Sequence, residues 1–261
     1  MADLAGVLAD LAAEGGALEA LVDRAPDWSL ATPAVGWTIA HQVGHLAWTD
    51  SVARASARGG AEWDAVVEAA MADPAGVVDT AAATWAGRPD LREVWSAGRA
   101  SLREALVSTT TAKLPWFGPS MSPTSMATAR LMETWAHGQD VADALGITRE
   151  PTDRLRHVAH LGVRTHGFAF AARGLAPPTD PVRVELTSPS DQTWVWGPDD
   201  APQRVTGPAL DFCLLVTQRR HRDDLALVAQ GAGADHWLGI AQAFAGAPGV
   251  GRPPLAPGGP G

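Results

Sequence analysis

Residues 122–147 read SPTSMATARLMETWAHGQDVADALGI, and this stretch decides the fold. Ser122 suits an N-cap and Pro123 suits the first position of a helix, while a glycine near the end suits its termination, so the stretch predicts one long helix. Glu133 and His137 are four residues apart within it. This spacing places a carboxylate and an imidazole on one face, one turn from each other, which is typical of two metal ligands supplied by a single helix.

A third metal ligand has to come from another part of the chain, and His41 and His45 are the obvious donors. Thr38 suits the N-cap of a helix that runs to about Arg58, and both histidines share one face of it. Side chains on facing helices of a bundle converge in its core. Two imidazoles and one carboxylate leave coordination positions open for water or substrate, which favours a catalytic site for Zn²⁺, with Ni²⁺ or Fe²⁺ as further options. These spacings also occur by chance in helix-rich chains, so the residues alone leave a structural role open.

The composition is that of a globular protein, with 46% apolar and 19% charged residues in a chain of 261. The net charge of −9 argues against a nucleic-acid-binding protein, which would need a basic face for phosphates. Lys113 is the only lysine beside many arginines and alanines, a usage that we interpret as a GC-rich coding sequence of actinobacterial type. The expected partners are therefore small molecules, and the expected state is a monomer or a homodimer.

Cys213 is the only cysteine, so an intramolecular disulfide is excluded and a reducing cytoplasm is the expected location. It lies in an apolar run, where an inert buried thiol is favoured over a nucleophile. The start of the chain has no basic segment followed by an apolar one, and no run reaches the ~18 apolar residues of a membrane span. We therefore expect a cytoplasmic protein that does not enter a membrane.

Three domains or segments follow from the hydrophobic periodicity along the chain. Helical spacing dominates up to a helix predicted at residues 151–173, and after two prolines the pattern changes to short strands mixed with helices. A loop at residues 108–122 carries two aromatic side chains, and we interpret it as a cover for a cleft. The predicted division is a helical bundle at residues 1–175, a small α+β domain at 180–246, and a disordered tail at 247–261.

Two segments resemble motifs of the DinB-like superfamily and, more closely, of the mycothiol-dependent maleylpyruvate isomerase family. They are residues 36–50, GWTIAHQVGHLAWTD, and residues 133–146, ETWAHGQDVADALG. The resemblance covers roughly residues 1–170, and residues 180–245 are similar to the small C-terminal domain of these isomerases, which is of sterol-carrier type. It implies a mainly α fold, a DinB-like four-helix bundle followed by a small α+β domain. On the matching positions it implies three metal ligands: His45, Glu133 and His137.

The resemblance also implies a chemistry in which a divalent metal, usually zinc, activates the thiol of mycothiol. A metal-bound thiol is deprotonated at neutral pH and becomes a nucleophile. In the isomerases, the thiolate adds to a conjugated double bond, the bond rotates, and elimination restores the double bond. Other members transfer the thiol to electrophiles. The predicted function is therefore thiol-dependent isomerisation or S-transfer on a small electrophilic substrate.

Three further residues are candidates for catalysis. His41 lies one turn before His45, and we favour an acid/base role beside the metal over a role as fourth ligand. Arg130 lies three residues before Glu133, where it either binds a substrate carboxylate or polar groups of the thiol, or pairs with Glu133. Asp140 lies three residues after His137 and either orients that imidazole through its free N–H or is a surface carboxylate.

Two other functions remain open at this point. The first is thiol-independent metal chemistry, such as a hydrolase or lyase step in specialised metabolism. The second is a metal-stabilised protein that binds a small apolar molecule without catalysis. The sequence does not name the substrate, because the shape of a pocket depends on loops such as residues 108–122.

Overall fold

The computed structural model describes residues 3–244, 246, 248–249 and 251–255. The chain divides into two compact units, Met1–Arg149 and Glu150–Gly261. The first unit is helical, and the second combines helices with a small sheet.

The first unit contains the predicted four-helix bundle. The helices of this unit are α1 (Leu4–Val22), α2 (Ile39–Arg58), α3 (Ala61–Ala72), α4 (Val77–Ala86), α5 (Leu91–Ser108) and α6 (Pro123–Ala144). α1 packs along α6, and α2 packs against α5, α6 and the shorter α4. The four helices of the bundle are therefore α1, α2, α5 and α6, and the predicted four-helix bundle is confirmed.

Local capping sets where the bundle helices begin. The side chain of Asp3 accepts a hydrogen bond from the N–H of Gly6 at 2.7 Å, and α1 starts at the next residue. Ser122 accepts from the N–H of Ser125 at 3.1 Å, and Pro123 occupies the first position of α6, where its missing N–H costs nothing. These caps involve only neighbouring residues, which is why the sequence predicts where α6 begins.

Large apolar side chains from α1, α2, α5 and α6 form a core cluster at one end of the bundle. Val43 and Leu46 of α2, Trp95 of α5 and Val141 of α6 are all at most 1% exposed and belong to one cluster. Fully burying a side chain of this kind contributes about 1.5–3 kcal/mol. The packing fixes the relative positions of α2 and α6, the two helices that carry the predicted ligands.

Gly44 allows α4 to approach α2 closely, directly beside His45. A Cβ atom at this position would lie 2.8 Å from the backbone nitrogen of Ala86 and 2.9 Å from the carbonyl oxygen of Ala82. Any side chain there would push the two helices apart. Gly44 is therefore needed because the two helix backbones pack closely here, and not because of the conformational freedom of glycine.

The second unit has a four-stranded sheet with helices packed on it. Its strands are β1 (Val182–Thr187), β2 (Thr193–Trp196), β3 (Gln203–Pro208) and β4 (Val228–Gln230), and its helices are α7 (Leu155–Arg164), α8 (His166–Ala171), α9 (Ala209–Val216) and α10 (Ala232–Ile240). The strand order is β2-β1-β3-β4. β1 pairs antiparallel with β2 and parallel with β3, where Val184 lies opposite Val205 and both side chains are fully buried.

The single helix predicted at residues 151–173 is wrong, because the structure has two helices that meet at Thr165. The hydroxyl of Thr165 donates to the carbonyl oxygens of Leu161 and Gly162, both at 3.0 Å. Such bonds from a side chain back to the preceding turn compete with the helical pattern. No proline marks the position, and Gly162 and Gly167 on either side of it are only a weak signal, because isolated glycines are tolerated within helices.

The first compact unit ends at residue 149, whereas the sequence predicts that the helical domain ends at residue 175. Helices α7 and α8 lie in the second unit because α7 packs against α9, where Gly162 lies close to Phe212 and Val216. As a division into domains, residues 1–175 and 180–246 stay a prediction. The predicted disordered tail, residues 247–261, falls largely on residues outside those that the structure describes. Among the described residues, no helix combines the length and the apolar character needed to cross a membrane.

Candidate metal centre

Helices α2 and α6 bring His45, Glu133 and His137 together. One ligand atom from each residue lies within 4.8 Å of the others. Oε2 of Glu133 is 3.2 Å from Nε2 of His137 and 3.7 Å from Nε2 of His45. The spacing of four residues on α6 thus places Glu133 and His137 side by side, as the sequence predicts. The packing of α2 against α6 adds His45 to this pair.

The centre is mostly enclosed but open on the side of the carboxylate. The side chains of His45 and His137 are 10% and 11% exposed, and that of Glu133 is 23% exposed. The ring of Trp37 stacks on the imidazole of His137 at 5.9 Å and lies 5.3 Å from that of His45. Trp48 contacts the His45 ring at 5.9 Å. Aromatic rings thus shield the histidines, while Glu133 is the most exposed of the three side chains.

Glu133 is held in its ionised form. Burial by itself would raise the pKa of this carboxyl group, but hydrogen bonds and charge interactions with His137 and His45 outweigh it and hold the pKa well below its usual range. A carboxylate that is ionised at neutral pH is the form that binds a metal ion.

The polar groups of the centre are not all satisfied by the protein. Nδ1 of His45 is buried and has no hydrogen-bond partner within the part of the chain that the structure describes. Buried polar atoms in native proteins normally have one. This nitrogen is not the one that faces Glu133, which is Nε2 of the same ring.

His137 is oriented by a residue that the sequence reasoning missed. Oε1 of Gln42 lies 2.5 Å from Nδ1 of His137, and Gln42 is fully buried. Asp140, the predicted orienting residue, is also buried, but its Oδ2 is 3.9 Å from the same nitrogen, beyond direct hydrogen-bond distance. The position of Gln42 three residues before His45, on the same face of α2, is the sequence signal that could have identified it.

His41 lies outside the group of three. Its Nδ1 accepts a hydrogen bond from the backbone N–H of Thr38 at 3.3 Å, so this nitrogen is used in closing the start of α2. The hydroxyl of Thr38 is 2.8 Å from the same nitrogen. The centre of the His41 ring lies 6.4 Å from that of Trp37, which also contacts the rings of His45 and His137. Its role as an acid or base stays a prediction.

Arg130 is buried and pairs with Asp50, not with Glu133. Its Nε donates to Oδ1 of Asp50 at 2.8 Å. Its Nη2 is buried without a hydrogen-bond partner among the described residues. Asp50 ends the segment 36–50 that carries the family resemblance, but the sequence reasoning gave it no role.

The loop at residues 108–122 packs its aromatic side chains on α3. Trp116 stacks on Trp63 with ring centres 6.4 Å apart, and Phe117 contacts both rings. A bridge between Leu114 and Met121 closes the loop. The aromatic residues therefore have packing partners, and the role of the loop as a cover for a cleft stays a prediction.

Together these features define a class of protein: a four-helix bundle with two histidines and a glutamate converging in its interior. A family model described as mycothiol maleylpyruvate isomerase N-terminal domain matches residues 8–142, more than half of the chain. The chain belongs to this family, as its sequence motifs predict. A second model, described as wyosine base formation, matches residues 178–230.

The chain is also similar to two sequence relatives and to two solved structures. Two uncharacterized proteins of Mycobacterium tuberculosis, from strains CDC 1551 / Oshkosh and H37Rv, are 55% identical over 257 residues, which is 97% of this chain and 100% of each relative. The crystal structure of a mycothiol-dependent maleylpyruvate isomerase matches 84% of this chain and 90% of its own at 16% identity, with a TM-score of 0.58. A histidine-to-alanine mutant of such an isomerase matches 87% and 93% at 14% identity, with a TM-score of 0.60. At this identity the likeness concerns the fold, and it confirms the predicted DinB-like bundle followed by an α+β region.

Proposed function

We propose that this protein is a divalent-metal-dependent enzyme of the mycothiol-dependent isomerase or S-transferase type, acting on a small electrophilic substrate. The observation that carries the proposal is the convergence of His45, Glu133 and His137 within 4.8 Å inside the bundle. Membership of the mycothiol maleylpyruvate isomerase N-terminal family supports mycothiol as the thiol.

The residues present fit a divalent metal ion. Two imidazoles and one ionised carboxylate are ligands that Zn²⁺ accepts, and Ni²⁺ and Fe²⁺ accept them as well. Three protein ligands leave coordination positions for another molecule, as in catalytic zinc sites. A bound ion lowers the pKa of a thiol that it binds, so mycothiol would react as its thiolate at neutral pH.

The surrounding side chains have separate parts in this proposal. Glu133 supplies the negative charge that offsets the cation, and its exposed edge marks the side from which substrate and thiol enter. Trp37 and Trp48 cover the histidines and keep water away from them. Exclusion of water strengthens the electrostatic interactions in the site.

Arg130 and His41 are the proposed groups for the substrate. Nη2 of the buried Arg130 guanidinium has no hydrogen-bond partner among the residues that the structure describes, and it is suited to a carboxylate of the substrate. Nδ1 of His41 accepts a hydrogen bond from the backbone N–H of Thr38. The other ring nitrogen, Nε2, is therefore the atom that would give or take a proton.

Metal analysis of the purified full-length protein tests the site. We expect about one divalent ion per chain after incubation with Zn²⁺ and removal of excess, and loss of binding in the His137→Ala and Glu133→Gln variants. His221→Ala is the matched control, because His221 is a partly exposed histidine of the second unit. A wild-type protein that binds no more metal than His137→Ala would overturn the proposal.

Calorimetric titration of the zinc-loaded protein with mycothiol tests the thiol. Binding that disappears when the metal is removed supports the proposed function. Bound metal without mycothiol binding would instead favour a thiol-independent hydrolase or lyase. Tight binding of an apolar molecule that persists after the metal is stripped would favour a binding protein without catalysis.

A further inference from the structure

A chain of three hydrogen bonds runs from the backbone of Trp37 to the ring of His137. The hydroxyl of Thr32 donates to the carbonyl oxygen of Trp37 at 2.9 Å. Nε2 of Gln42 donates to the hydroxyl oxygen of Thr32 at 2.8 Å, and Oε1 of Gln42 faces Nδ1 of His137 at 2.5 Å. The chain links the loop before α2, the first turn of α2, and α6.

The direction of every bond in this chain follows from its first member. The carbonyl oxygen of Trp37 can only accept, so the single hydroxyl proton of Thr32 is used there. Towards Gln42, the oxygen of Thr32 can therefore only accept, which requires the amide nitrogen of Gln42 on that side. The amide oxygen of Gln42 is thereby turned towards His137.

The orientation of the Gln42 amide has a consequence for His137. An amide oxygen only accepts, so Nδ1 of His137 has to carry the proton. In a neutral imidazole the other nitrogen, Nε2, then has a lone pair. Nε2 is the atom that lies 3.2 Å from Oε2 of Glu133, inside the candidate metal centre.

We propose that Gln42, held by Thr32, is a positioning residue that selects the His137 tautomer with Nε2 free to bind a metal ion. The inference rests on the proposed function for the identity of the centre, but the proton on Nδ1 is a property of the metal-free protein. A proton that Nε2 donates to Glu133 in the metal-free protein is released when a metal ion binds. Partners of this kind, which bond the second nitrogen of a ligand histidine, typically change metal affinity about 10- to 100-fold when removed. Full burial of Gln42 means that water does not compete for its amide group.

The decisive variant is Thr32→Val, which removes the hydroxyl while keeping the shape of the side chain and touches neither His137 nor the metal. The Gln42 amide then loses the partner that fixes its orientation. We expect Zn²⁺ affinity, measured by competition with a chromophoric chelator, to fall about 10-fold or more. Thr128→Val is the matched control, because the Thr128 hydroxyl donates to the carbonyl oxygen of Thr124 within α6, and we expect it to leave the affinity unchanged.

Two variants at Gln42 separate positioning from packing. Gln42→Leu removes the acceptor opposite Nδ1 and is expected to lower Zn²⁺ affinity about 10- to 100-fold. Gln42→Glu keeps an oxygen acceptor there and is expected to retain most of the affinity. If Gln42→Glu were as weak as Gln42→Leu, the loss would come from packing and the inference would be wrong.

Nitrogen NMR of histidine-labelled, metal-free protein reads the tautomer directly, with His137→Ala used to identify the signal. We expect Nδ1 of His137 to carry a proton throughout the wild-type sample and to lose it in part of the Thr32→Val sample. A wild-type His137 that is protonated only at Nε2 would overturn the inference whether or not the protein binds metal. Normal metal binding by wild type, Thr32→Val and Gln42→Leu alike would also overturn it, while leaving the proposed metal centre intact.

Discussion

Asp50 on α2 and Arg130 on α6 form an ion pair inside the first unit, with the Nε–H of Arg130 donating to Oδ1 of Asp50 at 2.8 Å. The side chain of Arg130 is 3% exposed and that of Asp50 is 5% exposed. Two charges removed from water depend on each other for stabilisation, because neither has solvent to replace its partner. The pair joins the helix that carries His45 to the helix that carries Glu133 and His137.

Removal of Asp50 is therefore expected to destabilise the fold. Asp50→Ala leaves the buried guanidinium of Arg130 without its counter-charge, and the expected loss is about 3–5 kcal/mol in the free energy of unfolding. Urea denaturation of the metal-free protein measures it. The control is Glu62→Ala, which breaks an exposed pair with Arg58 and should cost at most about 1 kcal/mol. Equal losses in the two variants would show that the buried pair adds little.

Metal binding is expected to stabilise the wild type and not Glu133→Gln. A ligand that binds only the folded state at about 100 times its Kd adds about 2.7 kcal/mol to the free energy of unfolding. Thermal unfolding with increasing Zn²⁺ should thus shift upward in the wild type and remain unchanged in the variant. A shift of the same size in both proteins would place the metal somewhere other than Glu133.

The lowered pKa of Glu133 has a predictable effect on acid stability. Its value in the unfolded chain is about 4.3, and in the folded protein contacts with His137 and His45 hold it well below the usual range. The ionised group therefore contributes stability that is fully present above about pH 4.3 and is lost as the pH falls through the folded value. The difference in unfolding free energy between the metal-free wild type and Glu133→Gln should shrink as the pH is lowered from about 5. A difference that grows on acidification would mean that burial dominates and raises the pKa.

The thiol of Cys213 is expected to be unreactive in the folded protein. Burial raises the pKa of this thiol well above its usual range, and the thiol is completely buried in α9. A thiol-specific chromogenic reagent should react with it only after denaturation. Cys213→Ala should retain the thiol-dependent activity of the wild type, since the proposed chemistry uses the thiol of mycothiol. Rapid labelling of the native protein, together with loss of activity in the variant, would implicate Cys213 instead.

Much of the first unit can be predicted from its sequence because the signals are local. The starts of α2 and α6 follow from Thr38, Ser122 and Pro123, whose effects extend over a single turn. Glu133 and His137 form a pair because helical geometry alone fixes a spacing of four residues. The break at Thr165 was not predicted, since it depends on a hydroxyl group that returns to its own helix and not on a helix-breaking residue.

The sequence by itself thus determined where α2 and α6 begin, the one-turn pair Glu133 and His137, and the family to which the chain belongs. Its residues left open whether His41 or His45 completes the site, and the family resemblance was needed to choose His45. Only the tertiary structure decided that Gln42 orients His137 and that Asp50 pairs with Arg130. These contacts join residues 80 or more positions apart in the chain. They exist because the apolar faces of α2 and α6 pack together, and no local pattern specifies which polar side chains that packing will bring into contact.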